Sequence, residues 1–551
     1  MSQPRADLVV SGEVLVEARP EGIQTAEAIG IGGGRVLVAG RLDDVLAAAI
    51  PGARRIEAGR VAVVPGLHDG HIHLAGLARH RSEVTLDDAG DVDEIARRLA
   101  AAAARVGDEA WVLGRGWTER AIERGLGPLH SAVAGRLVWI SSHDGHSAWV
   151  SGAALDRAGI DASTPDPPGG RIERGGDGRP NGILRETARD LVEPFVVRAR
   201  GAALRPGLDA TLAELAALGI TGATDMAAYT TTKGEGRYAR FGDDFSAIAE
   251  LADVVEGRLR LWIGFPAAAL LEGGVEEIGQ RSGDLLPGST TIRLGWAKAY
   301  LDGALGSRTA ALFEPHSCGD IPDAGILRLE PSTLVALFAA ARQQGIGLAV
   351  HAIGDRAAAA FLEAADSAGR PSALDARVAP LPDRIEHAQL VRAADRERIG
   401  KLGILASMQP IHAPSDRHLV EACWAGRVAD AYATRSIGAA GATLIFGSDA
   451  PVEPVNPWHG LLAAVRRRLP GEPDPGWRIE EAIEPTAALA AYTSAAGLVC
   501  RDDALGHLRP GAYADLAVLD IGLDMVLAAG DEAAGARSVL TLVGGREVHR
   551  S

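Results

Sequence analysis

A short apolar run, VAVVPGL, leads into His68-Asp69-Gly70-His71-Ile72-His73. Alternate side chains on an extended strand share a face, so His71 and His73 can reach one cation together. Later apolar runs close on further reactive groups: Lys298 in WAKAYL, His351 in LAVHAIGD, His387 in DRIEHAQ and Asp449 in IFGSDAP. Taken singly, each has a plainer account. A lone strand histidine packs in the core, and an Asp after a strand caps the next helix. Four His, one Lys and one Asp at strand ends together point to a divalent-metal site, because imidazoles with a carboxylate suit zinc and related ions.

Lysine is scarce in this chain. Only Lys233, Lys298 and Lys401 occur among 56 basic residues. An amine deprotonates and reacts as a nucleophile where guanidinium does not, which makes Lys298 a candidate for chemistry rather than charge. Lys233, in TTTKGEGR, reads as a surface residue.

These residues need a scaffold that brings strand ends together. After about residue 205, strand-like runs (TGATDM, RLRLWIGF, IRLGWAKAYL, IGLAVHAIG, DRIEHAQ, GILASMQP, ATLIFGSDAP) alternate with helical stretches such as PSTLVALFAAARQQG. Such alternation predicts a parallel sheet with crossover helices. Together with VAVVPGL as the first, these runs come to the strand number of a (β/α)₈ barrel, whose catalytic groups sit at the C-terminal strand ends. Residues about 80–205 break the rhythm and read as an insertion after the first barrel strand. It contains helical DVDEIARRLAAAAARVG, strand-like AWVLGRGW and RLVWISS, and a hairpin with Gly-Asp-Gly at its tip in GGRIERGGDGRPNGILRE.

The first 60 residues alternate around glycine-rich turns as hairpins do. Gly32-Gly33-Gly34 is a turn and not a dinucleotide fingerprint, since Arg35 stands where that pattern needs glycine. Strand texture returns in YADLAVLD and SVLTLVGGREVHR. The expected organisation is a barrel over 61–504 and one small β-domain built from 1–60 and 505–551.

Composition narrows the function classes. The 551 residues carry a net charge of −16, and 47% are hydrophobic. An acidic folded chain is a poor candidate for general nucleic-acid or anionic-membrane binding. No apolar run approaches the ~18 residues of a membrane span, and the N-terminus lacks a signal-peptide pattern. Cys318, Cys423 and Cys500 read as too few and too scattered for a disulfide framework or a Cys-rich zinc site. A reducing cytoplasm, a small-molecule substrate and a homodimer are the default expectations. No nucleophile elbow or phosphate loop is present.

The order His-x-His, Lys, His, His, Asp resembles the amidohydrolase superfamily of metal-dependent hydrolases. The strings PGLHDGHIHL, WAKAYLDGALGSRTA, HAIGDRA, RIEHAQ and FGSDAPVEPVNPW are similar to amidohydrolase family 3, the branch that includes N-substituted formamide deformylases. The likeness runs essentially end to end and includes the hairpin string and the closing PGAYADLAVLD. It implies an α/β fold, a TIM barrel beside a composite β-sandwich formed by both termini. It also implies two divalent ions, zinc for preference, with His71 and His73 on the more buried ion and His351 and His387 on the more exposed one. Lys298, as an N-carboxylate, would bridge them, and Asp449 would bind the first ion and move protons. The implied reaction is hydrolysis of a non-peptide C–N bond (amide, N-formyl or cyclic amide) by a metal-activated hydroxide. His146, Trp117, Asp302 and His412 lie in matching strings and are the candidate substrate contacts, with His143 beside them. Glu186 reads as a solvated helix charge.

Two other readings compete. A deaminase of an aminated heterocycle would use one metal and leave Lys298 without a role. A non-catalytic barrel should have lost a ligand, and none of the six is missing.

Overall fold

A computed structural model of the chain describes residues 5–226, 240–273, 279–319, 322–369 and 381–551. The N-terminal segment forms β1 (Ala6–Arg19), β2 (Gly22–Gly32), β3 (Arg35–Gly40) and β4 (Ala49–Pro65). Barrel strand β5 (Leu67–Ile72) follows at once. The insertion then supplies β6 (Val84–Thr85), β7 (Trp111–Trp117), β8 (Leu137–Ser142), β9 (Ser147–Val150), β10 (Gly170–Arg174) and β11 (Pro180–Glu186). The chain returns to the barrel with β12 (Ile220–Asp225), β13 (Arg260–Pro266), β14 (Ile292–Tyr300), β15 (Leu348–Ala352), β16 (Arg384–His387), β17 (Leu405–Met408) and β18 (Thr443–Phe446). It ends with β19 (Leu516–Leu519), β20 (Ser538–Val543) and β21 (Arg546–Arg550).

Eight parallel strands run β5-β12-β13-β14-β15-β16-β17-β18. The two ends of this sheet approach each other, where Asp449 N–H donates to His71 O (2.7 Å) and His73 N–H donates to Ala450 O (2.9 Å). The result is a nearly closed parallel barrel of the TIM type. Its strands read as near-continuous apolar runs because helices cover the outer face while side chains fill the lumen. Helix boundaries follow local chemistry. Pro331 opens Pro331–Gln344, and Gly345 ends it in the left-handed conformation at φ 70°.

The first barrel strand differs from the sequence reading. Val63 and Val64, in the run taken as that strand, pair antiparallel with Val518 and Ala517 of β19. The run is therefore the end of β4, and the barrel starts at Leu67. A buried apolar run looks the same in either sheet. Gly66 marks the passage, since a Cβ there would overlap the Thr221 side chain of β12.

The terminal strands share one seven-stranded sheet ordered β21-β20-β19-β4-β1-β2-β3. The insertion builds its own six-stranded sheet, β10-β11-β9-β8-β7-β6, and β10 pairs with β11 around the Gly-Asp-Gly turn. Asp91 caps the helix Val92–Ala103 by accepting Glu94 N–H.

One expectation about cysteine is corrected. Cys318 and Cys423 form a disulfide across 105 residues, joining the segment after β14 to the helix Arg417–Cys423. Wide sequence spacing hid a close pair. Cys500 is buried and free. Among the described residues, no helix is long and apolar enough to cross a membrane.

Candidate metal centre and its cavity

Strand alternation turns His71 and His73 to one side, with ring centroids 5.4 Å apart. The Nε2 atoms of both rings face one oxygen: Asp449 Oδ1 lies 3.3 Å from His71 Nε2 and 3.2 Å from His73 Nε2. His387, at the end of β16, stacks 4.8 Å from His71 and 4.6 Å from His351. His71, His387 and Asp449 offer ligand atoms that all lie within 4.8 Å of one another. Lys298, near the end of β14, is 2% exposed, and its ammonium lies 4.8 Å from the Tyr300 ring centroid. Burial lowers its pKa to about 8, against the upward pull of Glu386 and Asp449. All six residues therefore gather at the C-terminal mouth of the barrel.

Backbone strain concentrates here. His387 and Asp449 adopt positive φ (72° and 59°), a conformation that costs a non-glycine residue free energy and clusters at functional sites.

The imidazoles are held from behind. His71 Nδ1 lies 2.6 Å from Glu386 Oε2, His351 Nδ1 lies 3.1 Å from Asp302 Oδ1, and His387 Nδ1 lies 2.8 Å from Gln409 Oε1. Each partner atom is an acceptor, so each Nδ1 carries the proton and each Nε2 presents a lone pair, as metal-ligating histidines do. Glu386 is itself anchored by Arg384, whose guanidinium also donates to Gly70 O (2.7 Å) and Ser407 Oγ (2.6 Å). Against the upward push of burial, Arg384 and His71 hold Glu386 well below the usual carboxylate range.

This proton placement leaves an electrostatic problem. With a neutral ring, His71 Nε2 and Asp449 Oδ1 are two acceptors 3.3 Å apart; against burial and Lys298, Asp449 and Glu386 raise the pKa of His71, so a ring proton or a bound cation is called for at this point. Among the described residues, the buried Lys298 Nζ also has no hydrogen-bond partner. Buried polar atoms are seldom left in this state, and a cation shared by the imidazole and carboxylate lone pairs would satisfy those acceptors. The donor set fits a divalent metal.

A cavity of about 190 Å³ opens over His73, His351, His387 and Asp449. His146, Trp117 and His412, the expected substrate contacts, border it. Trp117 supplies an apolar wall, because its indole N–H is spent on Ile140 O (3.0 Å). His412 Nδ1 accepts from the Gln389 amide (3.2 Å), so its proton sits on Nε2. His143 also lines the cavity, with Nδ1 bonded to Asp87 (2.9 Å).

Asp302 is a correction. It is fully buried behind His351 and also accepts the backbone N–H groups of Ile353, Gly354 and Ala311. No oxygen remains for a substrate, and Asp302 orients a ring instead. Burial pushes its pKa up to about 8.

Glu186 is another correction, being 1% exposed and not solvated. Both its oxygens lie 3.1 Å from His146 Nδ1, Thr309 Oγ1 donates to it (2.6 Å), and Arg328 pairs with it at 3.4 Å. Glu386 and Gln409 went unnoticed in the sequence. The available signal was Arg384-x-Glu386, two charges inside a strand that otherwise reads as buried.

Comparison with known proteins is consistent across three kinds of match. The model of a family described as "Amidohydrolase family" matches residues 56–549. The protein LONG AFTER FAR-RED 3 of Arabidopsis thaliana is 31% identical over 529 residues, covering 93% of this chain and 87% of that protein. The N-substituted formamide deformylase of Arthrobacter pascens is 27% identical over 541 residues, covering 94% of each. A solved structure described as an uncharacterized metal-dependent hydrolase from Pyrococcus furiosus superposes with a TM-score of 0.67 at 25% identity, covering 92% of this chain and 97% of its own.

Proposed function

The chain belongs to the amidohydrolase family, and on that premise we propose that it is a metal-dependent hydrolase of non-peptide C–N bonds in an amide, N-formyl compound or cyclic amide. The observation that carries this reading is the convergence of His71 Nε2 and His73 Nε2 on Asp449 Oδ1, 3.3 and 3.2 Å away, a buried imidazole–carboxylate set of the kind that holds a divalent ion.

His71, His73 and Asp449 would hold one divalent ion, zinc for preference, and His351 with His387 a second. Lys298 would bridge them as an N-carboxylate. A lowered pKa favours that modification, because only the neutral amine takes up carbon dioxide. Bound ions would supply a water of lowered pKa and polarise the substrate carbonyl.

The remaining work falls to side chains. As water adds to the carbonyl carbon, Asp449 accepts its proton. The same carboxyl group then delivers that proton to the leaving nitrogen, the C–N bond breaks, and an acid and an amine depart. His412, with its proton on Nε2 and that atom 3.9 Å from Asp449 Oδ2, is placed to donate to the carbonyl oxygen as negative charge develops there. Trp117 and His146 bound the substrate. In domain terms, 1–65 with 505–551 would be a composite β-sandwich, and 67–504 the hydrolase barrel with its insertion at about 80–205.

The test is metal-loaded protein assayed on amides, N-formyl compounds, cyclic amides and carbamates, with elemental analysis of the same sample. The reading expects equimolar acid and amine from at least one class and close to two ions per chain. Ammonia released from aminated heterocycles, with every amide inert, would replace it with a deaminase.

A further inference from the structure

The cavity over the candidate metal site does not end at its own walls. Five of its bordering residues, Glu119, Arg120, Leu305, Gly306 and Leu419, also border a second, more open cavity of about 840 Å³. The two spaces meet along this shared rim. The inner one, at about 190 Å³, is smaller than the ~300–1,000 Å³ of pockets that enclose a whole small-molecule ligand. It has room for a reacting group and little more. The rest of a larger substrate must lie across the rim.

The residues around that rim define the chemistry of what crosses it. Leu305, from the segment after β14, is 2% exposed and packs in one apolar cluster with Leu312, Val420 and Trp424. This cluster fixes the barrel side of the rim. Leu419, on the helix Arg417–Cys423, remains 41% exposed, an apolar side chain that the protein itself does not cover. Beyond the rim, Ile122, Leu126 and Ile183 of the insertion border the outer cavity and belong to the apolar cluster of the inserted sheet. The charges at the rim leave the passage apolar. Glu119 is paired with Arg185 (2.8 Å). Arg120 is exposed, so its guanidinium stays in water while its aliphatic stem adds to the rim. Uncovered apolar surface at the mouth of a cavity marks a place for an apolar ligand group.

We propose that the substrate is an amide with a large alkyl or aryl substituent, its scissile group in the inner cavity and its substituent crossing the rim at Leu305 and Leu419 into the outer one. The insertion, through Ile122, Leu126 and Ile183, is then the element that sets specificity. This rests on the C–N hydrolase reading and names its substrate class.

Binding and turnover are measured separately, so that this proposal and the hydrolase reading can fail independently. For binding, metal-free protein is titrated calorimetrically with straight-chain amides of increasing length, extended in one series on the acyl side and in the other on nitrogen. In at least one series, each added methylene should tighten binding by about two- to fourfold, since burying it in full is worth about fourfold and an open cavity covers only part of it. Leu419→Asp and Leu126→Asp put a carboxylate on the rim and in the outer cavity, and the gain per methylene should fall toward one in both. The readout is the ratio of long to short homologue, which a general loss of folded protein leaves alone. For turnover, the same amides are given to metal-loaded protein. There kcat/KM should climb with chain length in the unsubstituted enzyme and flatten in the two variants. Binding and kcat/KM that ignore chain length in both series overturn the proposal, as does a full gain retained in both variants. Hydrolysis without length dependence leaves the C–N hydrolase standing and removes the outer site. Length-dependent binding with every amide inert does the reverse.

Discussion

Glu386 Oε2 lies 2.6 Å from His71 Nδ1, and neither side chain is exposed to solvent. The carboxylate keeps the His71 proton away from Asp449, and it balances the buried Arg384. Glu386→Gln removes the charge and lets an amide N–H face Nδ1, which favours the wrong tautomer. Metal affinity should fall by about 10–100-fold, the usual effect of losing such a partner. Stability should fall by on the order of 3 kcal/mol, because Arg384 loses its counter-charge in a dry interior. Chelator competition and urea unfolding measure the two effects, and unchanged affinity would remove His71 from the ligand set.

Lys298→Arg should abolish turnover although charge and approximate length are kept. Guanidinium stays protonated, takes up no carbon dioxide and would place a cation among cations. Lys298→Ala leaves a space that formate or acetate at high concentration can enter, partly restoring metal content and turnover. Lys401→Arg is the control, since Lys401 is exposed and pairs with Glu397 one helical turn away (2.6 Å). Near-normal activity in Lys298→Arg would show that the lysine is no ligand.

The same lysine predicts a pH dependence. With a pKa of about 8, it is neutral in about a tenth of molecules at pH 7 and about nine-tenths at pH 9. Carbon dioxide uptake by metal-free protein, at fixed dissolved CO₂, should rise with pH and level off above about pH 9. An ordinary lysine would keep gaining about tenfold per pH unit up to about pH 10. Mass spectrometry or ¹³C NMR with labelled CO₂ follows the carboxylate, and a rate still climbing tenfold past pH 9 would show that burial does not tune this amine.

Asp302 separates orientation from substrate contact. Its oxygens serve the His351 ring and three backbone N–H groups, so Asp302→Asn should lower kcat by tenfold or more and leave KM within about twofold. A rise in KM at unchanged kcat would instead make it a substrate group.

What the chain reveals before folding depends on range. The metal-site candidates could be read because each sits at the end of an apolar run, a local pattern. Their supports could not, because Glu386 is 315 residues from His71, and Glu186 is 40 from His146. Nothing in RETARD marks Glu186 as buried, and its environment comes from Gly303, Thr309 and Arg328 on another segment. The Cys318–Cys423 pair was hidden in the same way. Misassignment of VAVVP has a different cause. Hydrophobicity identifies a buried strand but carries no information about which sheet buries it.

The sheet shared by both ends of the chain also orders events during synthesis. The edge of β4 at Val63 and Val64 finds its partner only when Val518 and Ala517 of β19 have left the ribosome. That is roughly 450 residues later, or from about twenty seconds to a minute and a half at ~5–20 residues per second. Throughout that interval the nascent protein presents an unpaired apolar strand edge, the kind of surface on which chains associate wrongly. The first segment translated is among the last to be completed.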